Sequence, residues 1–363
     1  MGLSGNKGEW SEVYTLLKLL ADGTMYAGDE NSNAIAELFY PIVLILRKEI
    51  AENLNYRPGE QYVSIEKPDG EVVARVLTSE FAEEASNLLV HIRNGKNSFQ
   101  VPSVQDFLSK IKVHQLKADS NDKTDIRIIL HDPRTCIQSE LGFSIKSHIG
   151  GDSTLLNASG STNFIFRVTG ASMEKAEIAS VNAIETRSKI LDRIVKIGQG
   201  GRQLQFERIE NPTFEDNLRM LDGDLPRLLA EMLTINTKQN LSNFSDLAKP
   251  VGIALFGDRD DPERAEEITR YKLKHLLVSV ALGLMPSKPW DGLYEANGGY
   301  IIVKESGDIV AYHFYDRNRF SDYLFNCAYL ERASSSRHKY GSLYRDRDGQ
   351  VKFKLNLQIR LRS

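Results

Sequence analysis

The alternation of hydrophobic and polar positions is most regular at the two ends of the chain. Residues 6–21 place apolar side chains on one broad arc at the ~100° spacing of an α-helix, and Asn6 with Glu9 supplies a capping box at its start. Residues 351–361 alternate apolar and polar side chains, which is the period of a half-buried β-strand. Asp348-Gly349 supplies a tight turn before that strand. The two ends therefore predict an amphipathic helix and the second strand of a hairpin.

Between these ends, shorter patterns predict a mixture of helices and strands. Helices are predicted over 34–54, near 79–93, over 173–196, near 214–236 and near 263–284. Strands are predicted in a polar hairpin over 60–76 and near 125–131, 141–147, 163–169 and 340–345. This mixture predicts an α/β (α+β) fold in which helices flank a central mixed sheet, followed by a C-terminal β-rich basic region.

The composition excludes several classes of protein. No apolar run approaches the ~20 residues of a membrane span, and the first residues lack the apolar core of a secretory signal, so we expect a cytoplasmic protein without membrane contact. The two cysteines, Cys136 and Cys327, are too few for a disulfide framework or a zinc cluster. The chain contains neither a Gly-x-x-x-x-Gly-Lys phosphate loop nor a Gly-x-Ser-x-Gly nucleophile elbow.

The charge is distributed unevenly along the chain. The whole chain carries a net charge of −3, whereas Arg332–Ser363 contains nine Lys or Arg and two Asp, so this segment is +7 and residues 1–331 are −10. A basic terminal module on an acidic body is typical of a protein that holds a polyanion at one place. A solvated basic sheet is the alternative that charge alone leaves open.

The strongest chemical signal is an acidic residue and a lysine on neighbouring strands. Asp125 opens one apolar strand, and Lys146 lies inside the next strand on the same face as Ser144. A buried lysine is costly unless a negative group faces it, and many nucleases hold a magnesium ion and a water between a carboxylate and a lysine. Lys146 would orient that water and counter the charge that develops on a phosphate. The alternative is an Asp–Lys ion pair that only joins the two strands.

A second carboxylate is needed for such a site. Nucleases built on the Asp…(Glu/Asp)-x-Lys plan have an acid where Ser144 stands here. Glu12 lies within the apolar arc of the first helix and has no local partner, whereas the capping box explains Glu9. Mg²⁺ keeps several waters, so two carboxylates and a phosphate oxygen suffice. The predicted metal ligands are therefore Asp125 and Glu12, with Glu140 in reserve.

Two loops and one strand carry side chains suited to contact with DNA. Residues 150–163 are rich in hydroxyls, amides and glycines, and Arg337 in the loop 335–341 is a candidate for bidentate contact to guanine O6 and N7. The plainer alternatives are an ordinary surface loop, contact to phosphate only and a solvent-exposed strand face. The predicted DNA-binding residues are Ser144, Asn157, Ser159, Thr162, Asn163, Arg337, His338, Lys339, Tyr340, Lys352, Lys354, Gln358 and Arg360.

Five short motifs, in order from the first residues to the last, resemble the HpaII-type restriction endonucleases. They are GNKGEWSE at 5–12, GFSIKS at 142–147, TLLNAS at 154–159, SRHKYG at 336–341 and KLNLQIR at 354–360. The resemblance implies a type II restriction enzyme of the PD-(D/E)xK nuclease superfamily that depends on Mg²⁺ and cuts both strands of a short palindrome. The enzyme that gives the family its name recognises CCGG, which makes CCGG the candidate site.

The resemblance also implies roles, partners and a division into regions. It supports Asp125 and Lys146 as the catalytic Asp and Lys, whereas Glu12 as the replacement for the missing acid is an inference from its place on the first helix. It implies double-stranded DNA as the substrate, a homodimer on the palindrome and a DNA methyltransferase acting on the same site. The predicted regions are an N-terminal helical region that contributes a site helix (1–115), the nuclease core (116–200) and a helical and β-rich DNA-recognition region (201–363). The alternative function is a DNA-binding protein on a nuclease scaffold that no longer cuts.

Overall fold

Strands and helices are interspersed along the protein, and the computed structural model describes residues 2–50, 52–117, 124–257, 261–313 and 316–362. The strands are β1 (Ser4–Gly5), β2 (Thr24–Gly28), β3 (Ala34–Lys48), β4 (Asn53–Arg57), β5 (Tyr62–Glu66), β6 (Val72–Leu77), β7 (Phe99–Gln100), β8 (Ile126–Asp132), β9 (Ile137–Ser147), β10 (Ser153–Leu156), β11 (Asn163–Thr169), β12 (Gln203–Ile209), β13 (Gly299–Val303), β14 (Ile309–His313), β15 (Ala328–Leu330), β16 (Leu343–Arg345), β17 (Val351–Asn356) and β18 (Ile359–Leu361). The helices are α1 (Lys7–Asp22), α2 (Thr78–Asn94), α3 (Pro102–Lys110), α4 (Lys175–Asn182), α5 (Lys189–Gln199), α6 (Pro212–Leu221), α7 (Leu225–Gln239), α8 (Phe244–Phe256), α9 (Pro262–Leu282), α10 (Arg317–Cys327) and α11 (Ser335–His338). None of the described helices is long and apolar enough to cross a membrane.

Nine of these strands form one mixed sheet in the order β2-β14-β13-β9-β8-β3-β4-β5-β6. Strand β13 runs parallel to β9 and β14 runs parallel to β2, while β8 and β9 are antiparallel neighbours. Because β2 also pairs with β3, six of the strands form a closed ring. The predicted mixed α/β class is confirmed, and β8 and β9 lie side by side in this sheet as predicted.

The chain divides into two compact units. The first unit contains the residues up to Ser153 together with Tyr294–Tyr323, and the second contains Thr154–Leu293 and Leu324–Arg362. This division differs from the predicted boundaries at 115 and 200, because β3 to β6 and the distant strands β13 and β14 join the same sheet as β8 and β9. Two further sheets, β10-β18-β15 and β12-β11-β17-β16, complete the described strand pairings of the second unit.

Helix α1 is the predicted N-terminal amphipathic helix. Its capping box is present, since the Asn6 side chain accepts from the Glu9 backbone N–H at 3.1 Å and the Glu9 carboxylate accepts from the Asn6 N–H at 2.8 Å. Trp10 is fully buried in the same core cluster as Phe143 of β9. The apolar arc therefore holds α1 against the main sheet, and Glu12 is carried on this helix.

The predicted helix over 34–54 is wrong. These residues form the long strand β3 and the start of β4, and β3 pairs with β2, β8 and β4. A continuous apolar run does not distinguish a buried strand from a buried helix. The signal that could have decided is Pro41, which lacks the N–H that a helix interior needs and stands opposite Thr24 in the sheet.

Two other predicted helices are each interrupted. The helix over 173–196 is divided into α4 and α5, and Arg193 donates to the carbonyl of Asn182 at 2.7 Å, which replaces a helical hydrogen-bond partner. The helix near 214–236 is divided into α6 and α7, because Pro226 is tolerated in the first turn of a helix and not in its interior. The hairpin β5–β6, the helices α2 and α9 and the strand β11 lie where they were predicted.

The C-terminal alternating segment is two strands rather than one. Strand β17 pairs with β11 and β16, whereas β18 pairs with β15, so the two strands belong to different sheets. The chain changes sheets at Leu357, whose N–H donates to the Thr162 carbonyl at 3.0 Å. The predicted turn before β17 is present, with Gly349 in the left-handed region at φ 78°.

Candidate active site

Asp125 lies immediately before β8 and its carboxylate is held by β9. Its N–H donates to the Phe143 carbonyl at 2.9 Å. Because Ile126 pairs with Phe143 in the antiparallel register, Asp125 stands opposite Ser144. The Asp125 Oδ2 accepts hydrogen bonds from the Ser144 hydroxyl at 3.0 Å and from the Ile145 N–H at 2.6 Å. Two donors from one strand therefore fix one carboxylate oxygen.

Ser144 orients Asp125 rather than facing solvent. Its side chain donates to the Asp125 carboxylate, and the residue is only 4% exposed. The serine, which stands where the sequence analysis expected an acid, therefore acts as a hydrogen-bond donor to Asp125. The burial of Ser144 also leaves it poorly placed for the direct contact to DNA that the sequence suggested.

Lys146 does not form the ion pair that the structural alternative required. Its ammonium group lies 5.4 Å from the centre of the Tyr300 ring, and the side chain makes no ion pair with any residue in the described part of the chain. An ammonium group over an aromatic face is stabilised by the ring quadrupole without being neutralised. Lys146 therefore has no carboxylate partner among the described residues, which leaves its side chain available to an anionic ligand.

Tyr300 is a site residue that the sequence analysis missed. The parallel register of β13 and β9 places Tyr300 beside Ser144 and Ile302 beside Lys146. Tyr300 is 1% exposed, and burial together with the nearby Asp125 carboxylate raises the pKa of its hydroxyl. No sequence signal marked this tyrosine, because only the pairing of β13 with β9 brings it to the site.

Glu12 is electrostatically coupled to Asp125. Burial, followed by the negative charge of Asp125, raises the pKa of the Glu12 carboxyl to about 8, and Lys117 and Arg47 only partly oppose this. Two carboxylates in a poorly hydrated place repel each other, so one of them keeps its proton until a cation arrives. This is the behaviour expected of a pair of hard oxygen ligands for a divalent ion.

The two other candidate acids are less suited to this role. The Glu9 carboxylate accepts from the Asn6 N–H in the capping box and lies 3.5 Å from the Lys117 ammonium. Glu140 is exposed, lies 3.8 Å from Arg127 and stands four residues from Ser144 along β9, which is about 13 Å at the rise of a strand. In the described residues no three His, Cys, Asp or Glu side chains are grouped to hold a metal ion. The arrangement therefore favours Asp125 and Glu12 as a two-carboxylate site.

Several of the predicted DNA-binding residues come together in the second unit, around a cavity of about 590 Å³. The cavity is built by the short helical turn that precedes β11, the connection from β12 to α6, the end of α11 and strand β17. Its lining residues are Gly160, Ser161, Asn163, Glu210, Asn211, Pro212, Arg337, His338, Lys339 and Lys354. Segments that are far apart in the sequence thus present amides, hydroxyls and cations to one open cavity.

The basic face of the C-terminal strands is largely ion-paired. Lys352 is 4% exposed and pairs with Glu207, and Arg360 lies 2.9 Å from Glu331. The sequence alone predicts exposed cations here, because it does not show that carboxylates from distant segments of the chain pair with them. Lys352 in particular is too buried to approach a phosphate without moving.

The remaining predicted contact residues mostly hold the loops in place. Ser159 caps the helical turn before β11, and Thr162 within that turn is fully buried. Tyr340 is 6% exposed and its hydroxyl donates to the Ala333 carbonyl at 2.5 Å. Asn157 is exposed and Gln358 is half-buried, so both remain accessible.

Comparisons with known proteins show the family of the chain. The family described as HpaII restriction endonuclease matches the chain over residues 6–361. A curated relative, the type II restriction enzyme HpaII of Haemophilus parainfluenzae, is 39% identical over 365 aligned residues, which cover 98% of each chain. No solved structure matches the chain. A match of this length and identity is not produced by a shared motif alone, so the chain belongs to the HpaII restriction endonuclease family.

Proposed function

We propose that this protein is a type II restriction endonuclease that makes double-strand cuts in DNA at a short palindromic site, with CCGG as the candidate sequence. The observation that carries the proposal is that a fixed Asp125, a Glu12 whose pKa Asp125 raises, and a Lys146 without an ion pair in the described residues occur together in a chain of this family. These residue types are those needed for metal-assisted hydrolysis of a phosphodiester.

The proposed roles follow from the surroundings of each side chain. Asp125 and Glu12 would hold a Mg²⁺ ion, which in such sites lowers the pKa of a bound water and offsets charge on the scissile phosphate. Ser144 keeps the Asp125 carboxylate in one orientation. Lys146 orients the attacking water and counters the negative charge that grows on the phosphate oxygens.

The proposal includes partners that a palindromic site requires. A palindrome has two-fold symmetry, so two copies of a chain that carries one site can cut the two strands equivalently. The bacterial DNA must be protected from such an enzyme. We therefore expect a DNA methyltransferase that modifies the same sequence.

The decisive experiment is cleavage of phage DNA by purified protein. In Mg²⁺ we expect discrete bands, whose run-off sequencing gives the recognition site and the cut position. Excess chelator should abolish cutting, and Ca²⁺ should support binding with little cleavage. Asp125→Ala is the matched control for a contaminating nuclease. A sequence-specific gel shift without cleavage in Mg²⁺ would overturn the proposal in favour of the non-cutting DNA-binding protein.

A further inference from the structure

Glu210 is an unexpected residue in the cavity of the second unit. It lies between β12 and α6, and it accepts hydrogen bonds from the Lys354 ammonium at 2.5 Å and the Asn163 amide at 2.8 Å. Its side chain is still 37% exposed. The other charged side chains that line the cavity in the described part of the chain, Arg337, Lys339 and Lys354, are basic. Glu210 is therefore an anionic acceptor among donors.

On a surface that contacts only phosphates, such a carboxylate would weaken binding. Burial opposes ionisation of Glu210, but hydrogen bonds from Lys354 and Asn163 lower its pKa, so the group is an anion at neutral pH. An anion repels the DNA backbone, and the repulsion is not fully screened at a short distance. The cost is offset if the ligand presents a hydrogen-bond donor to the exposed part of the carboxylate.

Arg337 supplies a complementary group among the residues that line the same cavity. It is exposed, and its guanidinium makes no ion pair with any residue that the structure describes. A planar guanidinium can donate two parallel hydrogen bonds to one partner. The cavity thus presents two complementary groups. The Glu210 carboxylate, held by Lys354 and Asn163, can accept a hydrogen bond, and the exposed Arg337 guanidinium can donate two.

We propose that Glu210 and Arg337 read one C·G base pair in the major groove, an inference that rests on the proposed function as a DNA endonuclease. Glu210 accepts from the N4 amino group of cytosine, and Arg337 donates to O6 and N7 of the paired guanine. In the major groove cytosine presents only this donor, whereas adenine presents its N6 donor beside the N7 acceptor. A carboxylate, which cannot donate, therefore selects cytosine over adenine.

The test compares Glu210→Gln with Glu207→Gln. Glu207 is on β12 and pairs with Lys352 of β17, just as Glu210 pairs with Lys354, but it does not line the cavity. The two variants lose the same charge, in each case from an ion pair with a lysine of β17, although Lys352 keeps Asp346 as a second partner at 3.5 Å. Cut-site selection from a randomised DNA library, read by sequencing the cut ends, measures base preference at every position. Thermal unfolding of both variants verifies that they remain folded.

For Glu210→Gln we expect discrimination against A·T at one C·G position to fall about tenfold or more, because glutamine can bond to N6 and N7 of adenine. Glu207→Gln should keep the wild-type preference at all positions. If Glu210 only anchors Lys354, then Glu210→Gln should slow cutting by the same factor at every DNA sequence, and that result overturns the proposal. Unchanged preference in a cutting, folded Glu210→Gln also overturns it. Failure of the wild-type protein to cut any DNA is a different outcome, since it rejects the proposed function itself.

Discussion

At the scale of single residues, one side chain of the candidate site is held by hydrogen bonds within the protein, while another remains available to a ligand. The Asp125 carboxylate is fixed by Ser144 and the Ile145 N–H, whereas the Lys146 ammonium rests on an aromatic face without an ion pair in the described residues. In a purely structural ion pair, the Asp125 carboxylate and the Lys146 ammonium group would instead contact each other. The effects of substituting these residues on activity and on stability can therefore be measured separately.

Lys146→Ala should remove cleavage and leave folding and specific DNA binding nearly intact. In its proposed role the lysine stabilises charge mainly in the transition state, so we expect a loss of about 10²-fold or more in the cleavage rate. If Lys146 were half of a buried salt bridge, its removal would cost about 3–5 kcal/mol of stability. Thermal unfolding, gel shifts in Ca²⁺ and single-turnover cleavage on one preparation distinguish the two cases.

Tyr300 should act through its ring rather than its hydroxyl. Tyr300→Phe keeps an aromatic face under Lys146 and should retain most of the cleavage rate. Tyr300→Leu removes a contact worth about 0.5–2 kcal/mol, so we expect roughly a tenfold loss of cleavage with DNA binding retained. Cleavage rates that fall equally in the two variants would assign the role to the hydroxyl instead.

The carboxyl of Glu12 predicts a pH dependence of stability in the absence of divalent ions. Its pKa rises from the ordinary 4.5 to about 8 in the folded protein, so between these values the unfolded chain binds fewer protons than the folded chain. Stability should therefore fall as pH rises from about 4.5 to 8, by at most about 1.4 kcal/mol per pH unit from this group. Melting curves in chelator should show that Glu12→Gln loses this slope. Equal slopes for both proteins would contradict the burial of Glu12.

At the scale of secondary-structure elements, the loop after α11 and the strand β17 present cations in different ways. Lys339 follows α11, is exposed and makes no ion pair in the part of the chain that is described, whereas Lys352 on β17 is buried against Glu207. Counterion release requires that the cation reach a phosphate. The elements, rather than the number of basic residues, therefore decide which of these lysines are exposed enough to reach a phosphate.

We expect Lys339→Gln to reduce the slope of log K against log salt by about 0.9, the value for one lost phosphate contact. Lys352→Gln, the matched loss of one charge from β17, should leave the slope unchanged. The measurement is DNA binding in Ca²⁺ across a range of salt concentrations. The opposite ranking of the two variants would show that β17 rearranges to meet the backbone.

At the scale of the whole molecule, the candidate catalytic residues belong to one compact unit and the predicted recognition residues of the cavity belong to the other. Asp125, Glu12, Lys146 and Tyr300 belong to the first unit, and the cavity lined by Arg337 and Glu210 belongs to the second. One chain therefore carries one set of the proposed catalytic groups and one set of the proposed base-reading groups. A double-strand cut at a palindrome then calls for two chains.

We expect two chains per cognate duplex when Ca²⁺ replaces Mg²⁺ to prevent cleavage. Sedimentation or light scattering of the complex gives this stoichiometry directly. A duplex of the same length without the site serves as the control. A single chain on the cognate duplex, with products that are nicked in one strand only, would rule out the symmetric arrangement.

The sequence alone determined those helices and strands that are specified by a pattern of neighbouring residues. The capping box and apolar arc of α1, the hairpin β5–β6, the strand that follows Asp125 and the strand that carries Lys146 could be predicted because side-chain periodicity reports which face is buried. The family resemblance was likewise contained in short motifs spread over the chain. The same local reasoning failed for β3, since a long apolar run satisfies both a buried helix and a buried strand.

Tertiary structure alone decided which distant groups meet. The parallel pairing of β13 with β9 brings Tyr300 under Lys146, and the packing of α1 on the sheet brings Glu12 within the field of Asp125. Glu207 and Glu210 neutralise lysines of β17 because β11 joins β12 to β17 in one sheet. Such contacts depend on strand order and register, which no local pattern encodes, and they determine whether a charge is available to DNA or already satisfied within the protein.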